Sequence, residues 1–311
     1  MTFPDYLTPS AVLICAVLLD RLLGDPARWH PLAGFGTIAN WLEARMNSPH
    51  TPPLAQRLRG AAAVLLLLVP ITLASVLAST LPMWGIAAQV ILLYFAIGAT
   101  SLAQHARAVK NALDKNDLDL ARAKVGMIVS RDTTNMQADD IARATIESVL
   151  ENGNDAVFGA LFWFALCGVP GAVAYRLANT LDAMWGYRTP RYVHFGWAAA
   201  RLDDVLNWIP ARLTALSYSL LGSTRSAWQC WQHQAPKWYS PNAGPVMAAG
   251  AGALGIVLGG AASYHGSIKQ RPTLGNGQPA QAQDIERAIA LVQRSTGLWV
   301  AVIFMGAWLH A

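Results

Sequence analysis

Carboxylates, an amide and guanidiniums crowd into FGWAAARLDDVLNWIPARLT, residues 195–214. With 200–208 helical, Asp203, Asp204 and Asn207 fall within one arc of about 100°, Arg201 points away and Pro210 ends the turn. Two carboxylates and an amide so spaced suit a magnesium ion, which takes oxygen ligands and usually arrives with phosphate. Arg201 and Arg212 could clamp phosphate or carboxylate. The ordinary alternative is salt bridging between helices. Inside a membrane bundle each charge costs roughly 2.5–3.5 kcal/mol, which makes clustered charge there functional by default.

A second group lies at 130–155, SRDTTNMQADDIARATIESVLENGND. A helix over about Gln137 to Asn152 puts Arg143, Glu147 and Glu151 on one face, with Ile141, Ala142, Ile146 and Val149 opposite. On a soluble helix such a face would be solvated ion pairs worth roughly 0.3–0.5 kcal/mol each. Here AVFGALFWF follows at once, so the acidic face sits at the mouth of an apolar bundle. Asn179 and Asp182 are i,i+3 neighbours in RLANTLDAMWGYRTPRY, at the end of another apolar helix. GDPARWHPLAGFG at 24–36 is either a turn with a helix cap or a loop that aims Asp25 and His30 into a site. No G-x-x-x-x-G-K-[ST] loop occurs, so any nucleotide is held by other means.

These groups need a scaffold, and composition names its class. The 311 residues are 54% hydrophobic and 13% charged, against about 25% charged in an ordinary soluble domain. That pattern describes an all-α, polytopic integral membrane bundle, read as a single embedded domain over 1–311. Firm membrane segments are 61–81 and 83–103, with 8–23, 156–178, 209–222, 244–262 and 297–310 as candidates. Residues 156–178 are interrupted by Gly168, Pro170 and Gly171, and a re-entrant or buried hairpin fits them better than one straight span. The Gly/Ala-rich stretch 244–262 suits close helix packing.

The polar segments are 24–60, 104–155, 179–208 and 263–296, the last with a helix from about Asp284. The tight turn at Pro82 puts 24–60 and 104–155 on one side, and their many Lys and Arg make that side cytoplasmic. A reversal within 156–178 would return 179–208 to it. The N-terminus reads as a retained helix rather than a cleaved signal. Cys15, Cys167 and Cys230 read as packing residues. A net charge of +5 favours anionic headgroups or substrates. Nucleic acid is not expected, because no Lys/Arg cluster is interleaved with aromatics.

Taken in order, LDRLLGDP at 19–26, HPLAGFG at 30–36, SRDT at 130–133, ARATIESVLEN at 142–152, NTLDAMWGY at 179–187, the 195–215 run and SPN at 240–242 resemble the membrane-bound adenosylcobinamide-phosphate synthase family of cobalamin biosynthesis. The resemblance runs from about residue 19 to 296. The chain departs from the family pattern in having Asp155-Ala156-Val157 after the Glu-Asn motif and Gly159-Ala160 before Leu-Phe-Trp. Glu151, Asn152 and Asp155 are kept.

The resemblance implies a carbon–nitrogen ligase of the inner membrane, with its site facing the cytoplasm. It joins adenosylcobyric acid to aminopropanol phosphate (or aminopropanol), with ATP as co-substrate and magnesium. On that reading Asp182, Asp203, Asp204 and Asn207 hold the metal. Arg131, Asp132, Arg143, Asn179, Arg201 and Arg212 bind the phosphate-bearing cofactor. Glu147 or Glu151 takes the amine's proton, with Asp155 beside them and His30 in reserve. The acidic groups of 132–155 and 182–207 are expected to converge. Trp163, Trp185, Tyr187, Trp197 and Trp208 are candidate walls for the corrinoid, or members of an interfacial aromatic belt. Lipid and other enzymes of nucleotide-loop assembly are the expected partners. The competing readings are a membrane prenyl- or phosphotransferase, a transporter and a structural subunit.

Overall fold

The structure, a computed structural model, describes residues 8–26, 30–264 and 267–309, with the side chains of 307 and 308 left out. The chain opens with helices α1 (Thr8–Leu23), α2 (Pro31–Met46), α3 (Pro53–Ser79) and α4 (Gly85–Ala96). It continues through α5 (Ala99–Asp114), α6 (Leu118–Val125) and α7 (Ala138–Gly153), then a π turn over Asn154–Phe158. Next come α8 (Gly159–Trp185), α9 (Trp197–Leu206), α10 (Trp208–Leu221), α11 (Thr224–Gln234) and α12 (Ala243–Leu254). Five short strands, β1 (Ile256–Gly259), β2 (Ala262–Tyr264), β3 (Ser267–Lys269), β4 (Thr273–Gly275) and β5 (Gln278–Pro279), precede α13 (Ala282–Leu309).

Among the described residues, four helical runs are long and apolar enough to cross a membrane: Pro53–Ser79, Gly85–Asp114, Ala138–Trp185 and Ala282–Gly306. The chain is an all-α membrane protein. Exposed leucines on α3, among them Leu65, Leu66, Leu73 and Leu77, suit contact with lipid tails.

The single embedded domain of the sequence reading divides into two compact units. One holds the chain up to Gly98, Gly159–Asn207 and the chain from Val300; the other holds Ala99–Phe158 and Trp208–Trp299. In the first unit α3 packs on α8 and α9, α4 on α1 and α8, and α2 on α3 and α8. Gly60 lets α3 touch backbone, since a Cβ there would fall 1.9 Å from the Phe195 carbonyl oxygen.

The decisive feature of this unit is the break in α8. Gly168 takes φ +64° and ψ −160°, two residues before Pro170. A Cβ at Gly159 would lie 2.1 Å from the ring of Tyr175, and one at Gly171 would lie 2.5 Å from the carbonyl oxygen of Trp163. A straight helix would hold residues 159 and 175 about 24 Å apart. The chain therefore doubles back at Gly168 as the sequence reading expects, and Ala138–Trp185 is not one straight span despite its length. Within α8 itself, neither the limb before Gly168 nor the limb after it has the ~20 residues that a crossing needs.

In the second unit α10, α11 and α12 pack together, and every residue of α12 is buried. Its small residues allow this: a Cβ at Gly250 would meet Leu150 at 2.7 Å, and one at Gly252 would meet the Ala227 Cα at 2.8 Å. Three sequence boundaries are corrected. The helix expected over 244–262 ends at Leu254, because Gly255 adopts a left-handed cap at φ +68°. The rest of 256–279 is not plain loop: β1 pairs antiparallel with β4 and parallel with β5, and β2–β3 form a hairpin. Pro210 does not end a turn but sits in the first turn of α10, where its missing N–H costs nothing.

Candidate functional site

In the first unit the α8 reversal sets its second limb beside α9. There Asp203 is buried at 8% exposure, and among the described residues its carboxylate accepts from the amides of Asn179 and Asn207. Asn179 Nδ2 donates to Oδ1 at 3.1 Å, and Asn207 Nδ2 reaches both oxygens at 3.0 Å. Asn207 in turn accepts from the Tyr175 hydroxyl at 2.8 Å. Trp163 Nε1 donates to the Leu206 carbonyl at 3.0 Å and fixes the end of α9. Burial pushes the Asp203 carboxyl up to about 6; the two amides pull it down and the charge of Asp204 adds to the rise. Burial also raises Asp204, opposed by Arg201 and Arg188. Arg201 stands 3.5 Å from Asp204.

Among the described residues, no three His, Cys, Asp or Glu side chains gather as a dedicated metal cage requires. One of the four expected ligands is placed otherwise: Asn207 has its oxygen on Tyr175 and its nitrogen on Asp203, so it orients Asp203. Asp182 sits near the C-terminal end of α8, with its Oδ1 beside Gly186. Asp203 and Asp204 stand side by side on α9. Magnesium that arrives with phosphate is commonly held by only one or two carboxylates. Of about four lone-pair sites on a carboxylate, the amides of Asn179 and Asn207 occupy three on Asp203. This pair fits a magnesium ion shared with a phosphate substrate and does not fit a resident all-protein site.

His30 serves as the cap of α2, accepting the Leu32 N–H on Nδ1 at 3.2 Å, with Nε2 3.7 Å from Asp25. The cap reading of this loop holds, and one ring nitrogen is lost to catalysis. Trp185 is fully buried against Phe195, a core residue rather than a corrinoid wall. Tyr187 and Trp197 are exposed, as is Trp208 of the second unit.

In the second unit Glu147 is 2% exposed and saturated. Arg131 donates to Oε2, Arg271 donates to Oε2 at 2.9 Å and to Oε1 at 3.1 Å, and the Gly259 N–H reaches Oε1 at 2.8 Å. The expectation of Glu147 as a base is corrected, because no lone pair is left for a proton. The acidic face is not the solvated one of an ordinary soluble helix: α7 is largely buried. Glu151 is half-buried one turn further on, and its charge, after burial itself, raises the Tyr239 phenol. Asp155 accepts from Asn154 Nδ2 at 2.9 Å within the π turn. Arg212 donates to the Trp208 carbonyl at 2.7 Å and to Asn242 Oδ1 at 3.2 Å.

The adjacent Arg131 and Asp132 come together with Arg143 around a cleft of about 350 Å³, with Asp140 also on its wall and Ser263 and Ile268 contributed by the β2–β3 hairpin. Asp132 N–H donates to the Ser263 carbonyl at 3.1 Å, tying the two walls. The hydroxyl and then the N–H of Thr134 hold Asp132 below the usual carboxylate range.

Sequence reasoning missed Arg271 and Tyr175, and also Glu43, which receives Arg191 at 3.0 and 2.6 Å and so anchors the segment leading into α9. Arg271 lies 124 residues from its partner in a stretch with no motif. Tyr175 was legible only as an apolar residue of a broken helix.

Comparison with known proteins follows the same residues. The model of the family described as CobD/Cbib protein matches residues 13–292. The cobalamin biosynthesis protein CobD of Chromobacterium violaceum is 61% identical over 295 residues, covering 94% of this chain and 95% of that protein. Its counterpart in Stutzerimonas stutzeri is 55% identical over 299 residues, covering 96% and 98%. That of Mycobacterium tuberculosis is 40% identical over 291 residues, covering 91% of each. No solved structure matches.

Proposed function

The chain belongs to the CobD/Cbib protein family, and from that premise we propose that it is an amide-forming ligase of cobalamin biosynthesis. It joins the free propionate carboxylate of adenosylcobyric acid to aminopropanol phosphate, giving adenosylcobinamide phosphate. The observation that carries this reading is the family match over 13–292, a range that contains every candidate site residue described above. The relatives' place in cobalamin biosynthesis favours it over a prenyl- or phosphotransferase. The helices long enough to cross a bilayer, with Lys and Arg rich in the segments 24–60 and 104–155, support an inner-membrane protein with its polar segments in the cytoplasm.

A carboxylate does not acylate an amine unaided in water. Magnesium-ATP, when bound, would supply the activation of the propionate. In the first unit Asp203 and Asp204 would share the metal with phosphate, while Asn179 and Asn207 orient Asp203 and Arg201 faces the phosphate charge. Within the second unit Glu151 would take a proton from the ammonium group so that the nitrogen lone pair is available. Each turnover forms one C–N bond and breaks the C–O bond of the activated propionate, whose oxygen leaves with phosphate cleaved from ATP.

The test is a product assay on protein in nanodiscs. Adenosylcobyric acid, aminopropanol phosphate and magnesium-ATP should yield adenosylcobinamide phosphate by mass spectrometry, and leaving out any one component should abolish it. Product that forms without ATP, or no product from a folded sample that binds the corrinoid, would sink the ligase reading.

A further inference from the structure

We propose that the cleft between the 131–143 segment and the β2–β3 hairpin is the binding site for the small phosphorylated amine, with Arg143 recognising its phosphate and Asp132 its ammonium group. The identity of the amine rests on the ligase reading; the recognition of a phosphomonoester does not.

Size separates the candidates first. About 350 Å³ lies at the lower end of ligand pockets. It holds a molecule of a few carbon atoms and one phosphate, and it is too small for a corrinoid with its side chains.

Charge separates them next. The wall carries both signs, Arg131 and Arg143 against Asp132 and Asp140. A triphosphate would meet two carboxylates there as repulsion. An amino-alkyl phosphate carries a dianion at one end and a cation at the other, and it matches both. Arg131 is committed to the buried Glu147, which leaves Arg143 as the phosphate contact. Arg143 donates from one terminal nitrogen to Asp140, while its Nε is buried with no partner. A buried guanidinium N–H without an acceptor is costly. A phosphate that drew the guanidinium from Asp140 into the cleft would give this nitrogen an acceptor and allow the two-point contact for which arginine is suited.

The contacts behind Arg131 explain why the geometry is kept. Arg131 and Arg271 converge on Glu147, and Gly259 of β1 donates to the same carboxylate. Arg271 Nε also donates to the Gly260 carbonyl at 3.1 Å. The hairpin wall is thereby fastened to α7 without using Arg143.

The experiment is equilibrium binding of aminopropanol phosphate, free aminopropanol and inorganic phosphate to the full chain in nanodiscs, with no ATP or corrinoid. The expected result is that wild type prefers the phosphorylated amine to either fragment. Arg143→Ala should weaken it at least tenfold without changing the affinity for free aminopropanol. Arg143→Lys, which keeps the charge and loses the fork, should fall between, and guards against a folding defect. Arg225→Ala, which removes an exposed charge from α11, should bind as wild type does. In turnover, Arg143→Ala should raise KM for the phosphorylated amine by a larger factor than KM for free aminopropanol. Unaltered binding in both Arg143 variants would overturn the proposal, and so would an equal loss for all three ligands. Phosphate-selective binding that depends on Arg143, in a protein that forms no product, would keep the cleft and discard the ligase reading.

Discussion

Glu147 in the second unit is 2% exposed and Asp203 in the first is 8% exposed, yet one accepts from two guanidiniums and the other from two neutral amides. A buried carboxylate between cations stays charged and has no lone pair to lend. Its work is to hold α7, the 131 loop and the β1 turn together. A buried carboxylate held by neutral donors is poised between its charged and neutral forms. It can exchange a proton for a cation at modest cost, as a metal-phosphate centre requires. Burial alone therefore does not mark a reactive acid; the charge of its partners does.

The comparison breaks most readily at Glu147. Glu147→Gln leaves Arg131 and Arg271 buried beside a neutral amide, and such uncompensated charge typically costs 3–5 kcal/mol. Thermal unfolding in micelles should show the variant largely unfolded at 37 °C, with any folded fraction retaining turnover. A variant that melts with wild type but is inactive would move Glu147 back among the reacting groups.

Asp203→Asn should do the reverse, abolishing synthesis by at least about a hundredfold, the lower end for loss of an electrostatic group, while leaving a folded protein. Its signature lies in pH. An unfolded Asp titrates near 3.8 and the folded Asp203 at about 6, so between those values unfolding releases a proton and stability falls as pH rises. The full cost, ~3 kcal/mol, is present above about pH 6 and absent below about pH 4. Melting curves from pH 4 to 8 should show wild type losing stability across that window relative to Asp203→Asn. Parallel curves would mean that Asp203 is not held as the structure has it.

The two carboxylates also mark how far the sequence could be read. The DDVLN run, the helix 137–152 and the reversal at Gly168 were legible because each rests on local rules: periodicity, helix stop signals, and glycine and proline in an apolar run. What separates Glu147 from Asp203 was not legible. Arg271 reaches Glu147 from a distant segment of short strands, and Tyr175 reaches Asn207 only because the hairpin folds. At the level of the sequence both acids look like polar residues on a helix face. The donor set, which decides their chemistry, is made by tertiary contacts.

The finest test concerns what keeps Asp203 in its state. Tyr175→Phe removes one neutral hydrogen bond, worth about 1 kcal/mol, from the oxygen of Asn207, and leaves the ring packed against Gly159. Asn207 then loses one of the contacts that orient its amide, and its donation to Asp203 weakens. With that donor weakened, the pKa of the carboxylate should rise further and the magnesium needed for half-maximal synthesis at pH 7 should rise several-fold, while kcat at saturating magnesium changes little. Raising the pH to 8 should restore most of the loss, because deprotonation then no longer limits metal binding. A loss that persists at pH 8 and high magnesium would assign Tyr175 to packing of the α8 hairpin rather than to the state of Asp203.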